Sequence, residues 1–430
     1  MSDIIKTVIA NQRDEILFLD AMKSRSGEIN AEVTKNVSEI IENVRINGDK
    51  ALDEYGKRFD NCAFEGKPVS ADEIERAYRE CPKELVKALE KAAENISEYH
   101  KKQLRQGFEI TKDDGVLLGQ KIVGLNRVGV YVPGGTAAYP SSVLMNVIPA
   151  KIAGVKEIVM ITPPQKDEQS YMNILAAARV SGVDKIFLVG GAHGAAALAY
   201  GTESIPKVDK IVGPGNIYVA TAKKLLFGIV DIDMVAGPSE ILILADQTAN
   251  PKYIAADLMS QAEHDVLASS ILLTTSQNIV NEVVLELEKQ SETLSRKEII
   301  RKSLKDFGAI IVFDDTDKMI NYANQFAPEH LEVCLENPIQ YLDRLYTAGS
   351  VFLGDYSPEP LGDYYAGPNH VLPTSGTARF FSPLGVDSFI KKYSYISYTK
   401  QAFDKAKSDI ITLAESEGLT AHANSARIRE

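Results

Sequence analysis

Glu157-Ile-Val-Met-Ile-Thr162, a helical stretch from Tyr171 to Val180, and Lys185-Ile-Phe-Leu-Val189 follow one another near the middle of the chain, and their alternation decides the fold class. Short apolar, β-branched runs read as strands buried on both faces, and a helix between two of them implies parallel pairing. The alternation continues through a helix at Ala195 to Tyr200, a strand at Lys210-Ile-Val212 and a helix at Ile217 to Leu226. A second series opens at Glu240-Ile-Leu-Ile-Leu-Ala245. It runs through a helix at Pro251 to Glu263, a strand at Ser270 to Thr275, a helix at Asn278 to Lys289 and a strand at Ala309 to Phe313. The expected fold is α/β, with two Rossmann-like parallel-sheet units meeting near Gly237-Pro238.

Outward from this core, residues 28–105 carry apolar residues at helical spacing, as in Val33, Val37, Ile40 and Ile41. Val116 to Val123 and Arg127 to Pro133 read as strands. After Pro383 comes a polar segment and a last helix near Lys400 to Glu415, a tail too small to enclose its own core and so required to dock elsewhere. The domain boundaries expected are a 1–24 N-terminal arm, a main α/β domain from 25–130 and 239–384, a second α/β domain over 131–238, and a 385–430 tail domain.

Length and composition exclude several classes. The 430 residues are 45% hydrophobic and 25% charged, ordinary for a globular protein. A net charge of -12 argues against nucleic acid as a partner, since such binders present a basic face. Cys62, Cys81 and Cys334 are odd in number and far apart, so neither a thiolate zinc site nor a disulfide framework is indicated. The N-terminus is broken by Asp3, Lys6, Arg13, Asp14 and Glu15 and is not a secretory signal, and no apolar run reaches membrane-spanning length. A cytoplasmic protein without a membrane partner is expected.

The six histidines are the chemical signal. Only His100 lies in an ordinary charged helical stretch; His193, His264, His330, His370 and His422 sit in short polar or glycine-rich phrases. Gln261 and His264 are three apart at the end of a helix and share a face. Such ligands suit zinc or a similar divalent ion, although for the pair alone a solvated helix end is the simpler reading. Asp363, in a long Gly- and Pro-rich loop from Asp355 to Thr377, could add a carboxylate. Glu329 and His330 set a carboxylate beside an imidazole, a pair able to divide acid and base roles, or simply a helix-start Glu beside an exposed His.

Three glycine turns follow strands: Pro133-Gly134-Gly135-Thr136, Gly190-Gly191-Ala192-His193-Gly194 and Gly213-Pro214-Gly215-Asn216. Each would bring backbone N–H groups to a helix N-terminus, where phosphates bind. None is a full GxGxxG, because Tyr218 stands where the third glycine should be, so a nucleotide and an empty tight turn both fit.

Four phrases together resemble the histidinol dehydrogenase family: QAEHD at 261–265, PEHLE at 328–332, GDYYAGPNHVLPT at 362–374 and EGLTAHANS at 417–425. The likeness extends in order from Arg127 to Glu430. It implies a zinc enzyme that oxidises L-histidinol to L-histidine with two NAD, the last step of histidine biosynthesis. By resemblance, Gln261, His264, Asp363 and His422 would hold zinc, His330 would be the general base and Glu329 would activate water. Ser239, His370 and Glu417 would hold substrate together with the metal ligands and His330. Tyr131, His193 and Asn216 would contact NAD, His193 standing where the family usually has Gln. The tail would complete the partner's site in a homodimer.

Residue chemistry agrees with that resemblance. Oxidation of an alcohol to an acid needs a base as each hydride leaves, and water added to the aldehyde between them. In many aldehyde dehydrogenases a cysteine traps the aldehyde, but nothing near Cys334 in the sequence would lower its pKa, so water attack is expected. The alternatives are a zinc-dependent hydrolase on the same scaffold, which the glycine turns disfavour, and a binding protein with a decayed site, which the intact polar residues disfavour.

Overall fold

The computed structural model describes residues 4–11, 13–25, 31–134, 139–165 and 167–429. Gly135 and Thr136 of the first glycine turn lie outside them. The strands are β1 (Lys6–Ile9), β2 (Phe108–Thr111), β3 (Leu117–Gly124), β4 (Arg127–Tyr131), β5 (Glu157–Thr162), β6 (Lys185–Leu188), β7 (Lys210–Val212), β8 (Asp231–Ile232), β9 (Glu240–Ala245), β10 (Ser269–Thr274), β11 (Ala309–Val312), β12 (His330–Cys334), β13 (Ser350–Leu353) and β14 (Ile390–Ser397). The chain divides into two compact units, one of residues 1–103 and 125–389, the other of 104–124 and 390–430.

The larger unit holds two parallel sheets, as the alternation predicts. The smaller has the order β6-β5-β4-β7-β8, and the larger β1-β11-β10-β9-β12-β13. Setting aside the added edge strand β1, both wind identically: the first strand is central, two successors lie on one side and the next two on the other. Their switch points fall between β4 and β7 and between β9 and β12.

The core follows from burial on both faces. Every residue of β9, β10 and β12 is buried, which is why β9 and β10 carry apolar runs at their centres rather than alternations, whereas β12 buries His330 and Glu332 among its apolar residues. Packed on the smaller sheet, the helix Gly191–Tyr200 is half alanine, and Ala195 to Ala199 are fully enclosed. Small side chains let that helix sit between the sheet and Val37, Ile41, Val44 and Leu52 of the N-terminal helices. Gly129 in β4 serves the same approach: a Cβ there would stand 2.7 Å from Leu198.

The second unit is an antiparallel sheet, β14-β3-β2, with helices Lys400–Ser416 and Thr420–Arg427. The segment after Pro383 that reads as merely polar is largely strand β14, paired with β3 from Ile390 opposite Gly124 to Ser397 opposite Leu117. This unit exposes Phe108, Ile110, Ile396, Leu413 and Ile428. Among the described residues, no helix is long and apolar enough to cross a membrane.

Candidate active site

The N-terminal ends of β9 and β12 bring Glu329 and His330 together with Glu240. Glu329 accepts the Glu240 N–H at 2.8 Å, and His330 Nδ1 lies 3.0 Å from the Glu240 carbonyl oxygen. A carbonyl only accepts, so Nδ1 carries a proton in either charge state and Nε2 is the nitrogen that gains or loses one. That Nε2 is buried without a hydrogen-bond partner, 3.8 Å from Asp363 Oδ1. Burial pushes Glu329 up to about 8. Burial alone would lower His330, but the neighbouring charges of Glu329, Asp363 and Glu359 outweigh it and push the imidazole up to about 10.

Gln261 ends the helix Pro251–Ala262 and His264 follows in the turn beyond it. The Gln261 amide nitrogen bonds His264 Nδ1 at 2.8 Å, which leaves its Oε1 buried and unpartnered. Burial holds His264 below its ordinary value, hence neutral and able to ligate. Asp363 is not on a loop: it lies in a short helix, Glu359–Tyr364, which also carries Glu359 one turn earlier. Donor atoms of His264, Glu359 and Asp363 lie within 4.8 Å of one another.

Glu359 escaped the sequence reading because six residues show no apolar period; its i, i+4 spacing to Asp363 was the available signal. It accepts Ser260 Oγ at 2.9 Å while its Oε1 is buried and unpartnered, and burial pushes it up to about 8. Unpartnered buried oxygens beside a neutral imidazole and two carboxyls are a costly arrangement that a divalent cation would relieve. An amide oxygen, an imidazole and carboxylates are also the donor set zinc accepts. The residues present fit the metal.

His370 Nδ1 bonds the Asp363 carbonyl at 3.0 Å, and its Nε2 lies 3.4 Å from Ser142 Oγ. Ser142 belongs to the helix Pro140–Ile152, and Asn369 bonds the Met145 carbonyl of that helix at 2.7 Å. A cavity of about 260 Å³ opens beside His330, Phe352, Asp363, Asn369 and His370, just below the usual range for small-ligand sites. Ser239 is half-buried immediately before β9. Cys334 is buried at the far end of β12, where burial and the carboxylates of Glu332 and Asp257 hold its thiol well above the usual range; it is no nucleophile. Glu417 and His422 are exposed residues of the second unit.

The C-terminal ends of β4, β6 and β7 gather the residues expected to meet NAD. Tyr131, buried at the end of β4, accepts the Gly191 N–H through its hydroxyl at 3.0 Å. His193 is 2% exposed, and its unpartnered Nε2 is 4.0 Å from Asp60 Oδ2, beside the ring of Tyr55. Burial lowers it to about 4, so the ring is neutral near pH 7. Asn216 is exposed and caps the helix Ile217–Leu226, its Oδ1 accepting from Tyr218 N and Val219 N.

Comparison with known proteins bears on this geometry. The family model described as histidinol dehydrogenase matches residues 23–430. The histidinol dehydrogenase of Clostridium acetobutylicum is 56% identical over 429 residues, covering 100% of both chains. That of Listeria monocytogenes serovar 1/2a is 56% identical over 412 residues, covering 96% of each. The crystal structure of histidinol dehydrogenase from Elizabethkingia anophelis superposes with a TM-score of 0.92 at 39% identity, covering 100% of this chain and 98% of that one.

Proposed function

The chain belongs to the histidinol dehydrogenase family of oxidoreductases, and on that premise we propose that it oxidises L-histidinol through bound L-histidinal to L-histidine, the last step of histidine biosynthesis, with two NAD as hydride acceptors and one zinc per subunit. The observation that carries the proposal is His330, whose Nδ1 is tied to Glu240 while its buried Nε2 is left without a partner at the cavity.

His330 Nε2 takes the hydroxyl proton as hydride leaves the carbinol carbon. Glu329 then takes a proton from the water that adds to the aldehyde carbon, while His330 returns its own proton from Nε2 to the aldehyde oxygen and is free to act again. His330 takes the next proton, from the hydrated aldehyde, as the second hydride leaves. Gln261, His264 and Asp363, with His422 of a second subunit, would hold zinc, which when bound orients substrate and polarises its oxygen. Glu359 adds a further carboxyl beside His264 and Asp363. Ser239, His370 and Glu417 would hold the substrate, and Tyr131, His193 and Asn216 the dinucleotide.

In this reading residues 131–238 hold NAD, while 25–130 and 239–384 carry the metal and the catalytic pair. The expected N-terminal arm, residues 1–24, instead contributes β1 to the edge of the larger sheet. Residues 385–430 complete the partner's site in a homodimer, and the exposed apolar side chains of the second unit support such a covered surface. The test supplies L-histidinol and NAD to metal-replete protein and counts NADH. Two per histidinol are expected. One, with free aldehyde accumulating, refutes the two-step reading.

A further inference from the structure

The smaller sheet contains a buried ion pair that the chemistry above leaves unused. Lys223, on the helix Ile217–Leu226, and Asp233, one residue beyond β8, have side chains only 3% and 1% exposed, in direct contact. Their remaining bonds converge on one residue. Lys223 Nζ donates to the Gly213 carbonyl at 2.9 Å, and Asp233 Oδ2 accepts the Gly213 N–H at 2.8 Å. Asp233 Oδ1 takes the Met234 N–H at 2.6 Å.

Both main-chain polar groups of Gly213 are thus held by one charge pair. Gly213 is also the point where the loop after β7 crosses the end of β4. Its φ is +108°, and a Cβ there would stand 2.1 Å from the Tyr131 carbonyl oxygen. Parallel α/β sheets bind ligands at this place, between the strands where the winding reverses.

A buried ion pair is a weak source of stability, because desolvation consumes most of the attraction; an apolar pair of similar volume does as well or better. What charge and hydrogen bonding provide is one defined backbone conformation. We propose that Lys223 and Asp233 are positioning residues for the dinucleotide, holding Gly213-Pro214-Gly215-Asn216 in its binding conformation at the β4/β7 crevice. The inference rests on the NAD reading above. It also assigns Lys223 a role other than phosphate ligand, since its ammonium is enclosed and already serves Asp233 and Gly213.

The test compares wild type, Asp233→Asn and the double variant Lys223→Met/Asp233→Asn. It measures NADH affinity by fluorescence titration, histidinol affinity by calorimetry, bound metal and melting temperature. Asp233→Asn strands a buried cation and should melt lower; the double variant removes that charge and should regain the lost melting temperature. Both should bind NADH about tenfold or more weakly, since an amide has one oxygen for two backbone N–H groups and cannot hold Gly213 and Met234 together, while histidinol affinity and metal content hold. NADH affinity within about twofold of wild type in either folded variant reduces the pair to a packing element and overturns the proposal. Parallel losses of NADH and histidinol affinity overturn it too, as general disruption. If Asp233→Asn does not fold, the double variant decides alone. A wild type that binds no NADH overturns the dinucleotide reading itself, a result distinct from variants that bind as wild type.

Discussion

Replacing Glu329 by Gln should separate the two oxidations and move stability the opposite way. The amide keeps an oxygen for the Glu240 N–H, so the bond that spans β9 and β12 survives. What disappears is a base. General-base assistance is worth about a hundredfold to ten-thousandfold, so turnover of L-histidinal should fall by about a hundredfold or more, and the first hydride transfer from L-histidinol by less than about tenfold. Because burial pushes Glu329 up to about 8, only about one molecule in ten holds it ionised near pH 7. The wild-type rate on histidinal should therefore climb with pH as Glu329 ionises and again as His330 loses its proton at higher pH, and the variant should keep only the second limb. A bound cation draws the first limb to lower pH.

Stability follows from the same shift. A carboxyl whose folded pKa is raised holds its proton more tightly when folded. Its contribution is complete below the unfolded value near 4.5 and is lost as pH rises through about 8. The ceiling on that loss is about 5 kcal/mol. Metal-free Glu329→Gln never ionises and should melt higher than wild type above pH about 8, and alike below pH about 4.5. Single-turnover kinetics on both substrates and calorimetry across pH check this. Equal losses on histidinol and histidinal, or a variant less stable than wild type at alkaline pH, refute the assignment.

Stripping the metal with a chelator should abolish turnover and lower the melting temperature, with zinc restoring both; full activity in protein shown metal-free by elemental analysis rejects the ligand set. Gly213→Ala places a Cβ against the Tyr131 carbonyl at positive φ and should cost about 1–3 kcal/mol of stability and raise the KM for NAD; an unchanged KM argues against binding at this loop. His264→Asn and His422→Asn should each be inactive alone, yet mixed dimers should recover up to half of wild-type activity, because one site then has every ligand. No recovery in verified heterodimers refutes the shared site and leaves the zinc chemistry standing.

The parts readable from sequence are those in which one residue type repeats for one physical reason. Strands such as β5 and β9 are apolar through their centres because helices cover both faces, and that pattern is local. The glycine turns are equally local. Elements defined by distant partners were not readable. β14, Ile-Lys-Lys-Tyr-Ser-Tyr-Ile-Ser, is polar along most of its length and becomes a strand only by pairing with residues 117–124. The helix Glu359–Tyr364 is too short for periodicity, so Glu359 stayed hidden although Asp363 was named. His100, which reads as part of a charged helix surface, is fully buried and held to the Ile96 carbonyl at 2.8 Å. Lys223 and Asp233 are ten residues apart across a loop and a strand, and nothing local marks them as a pair.

The two sheets share a winding order yet are used at opposite edges, and the hydrogen bonds say why. In the smaller sheet the β4/β7 crevice lies at the C-terminal strand ends, where Tyr131, Gly191 and Gly213 gather. In the larger sheet that position is closed: Asp246, just after β9, accepts the Glu336 N–H, just after β12, at 2.8 Å, and also caps Thr248. The acid–base pair sits instead at the N-terminal ends of the same two strands. That edge of a parallel sheet presents outward N–H donors, and the Glu240 N–H is the donor that holds Glu329. A carboxylate asked to act as a base in a buried site needs such a donor to keep its orientation, but few enough to leave its proton affinity high. One backbone bond, with burial pushing the carboxyl up to about 8, meets both conditions. A C-terminal edge would have offered mostly carbonyl oxygens, which orient the His330 Nδ1 proton well but repel a carboxylate. The N-terminal edge supplies both, since Glu240 donates its N–H to Glu329 and accepts from His330 through its carbonyl. One residue of β9 therefore sets the proton positions of the whole pair.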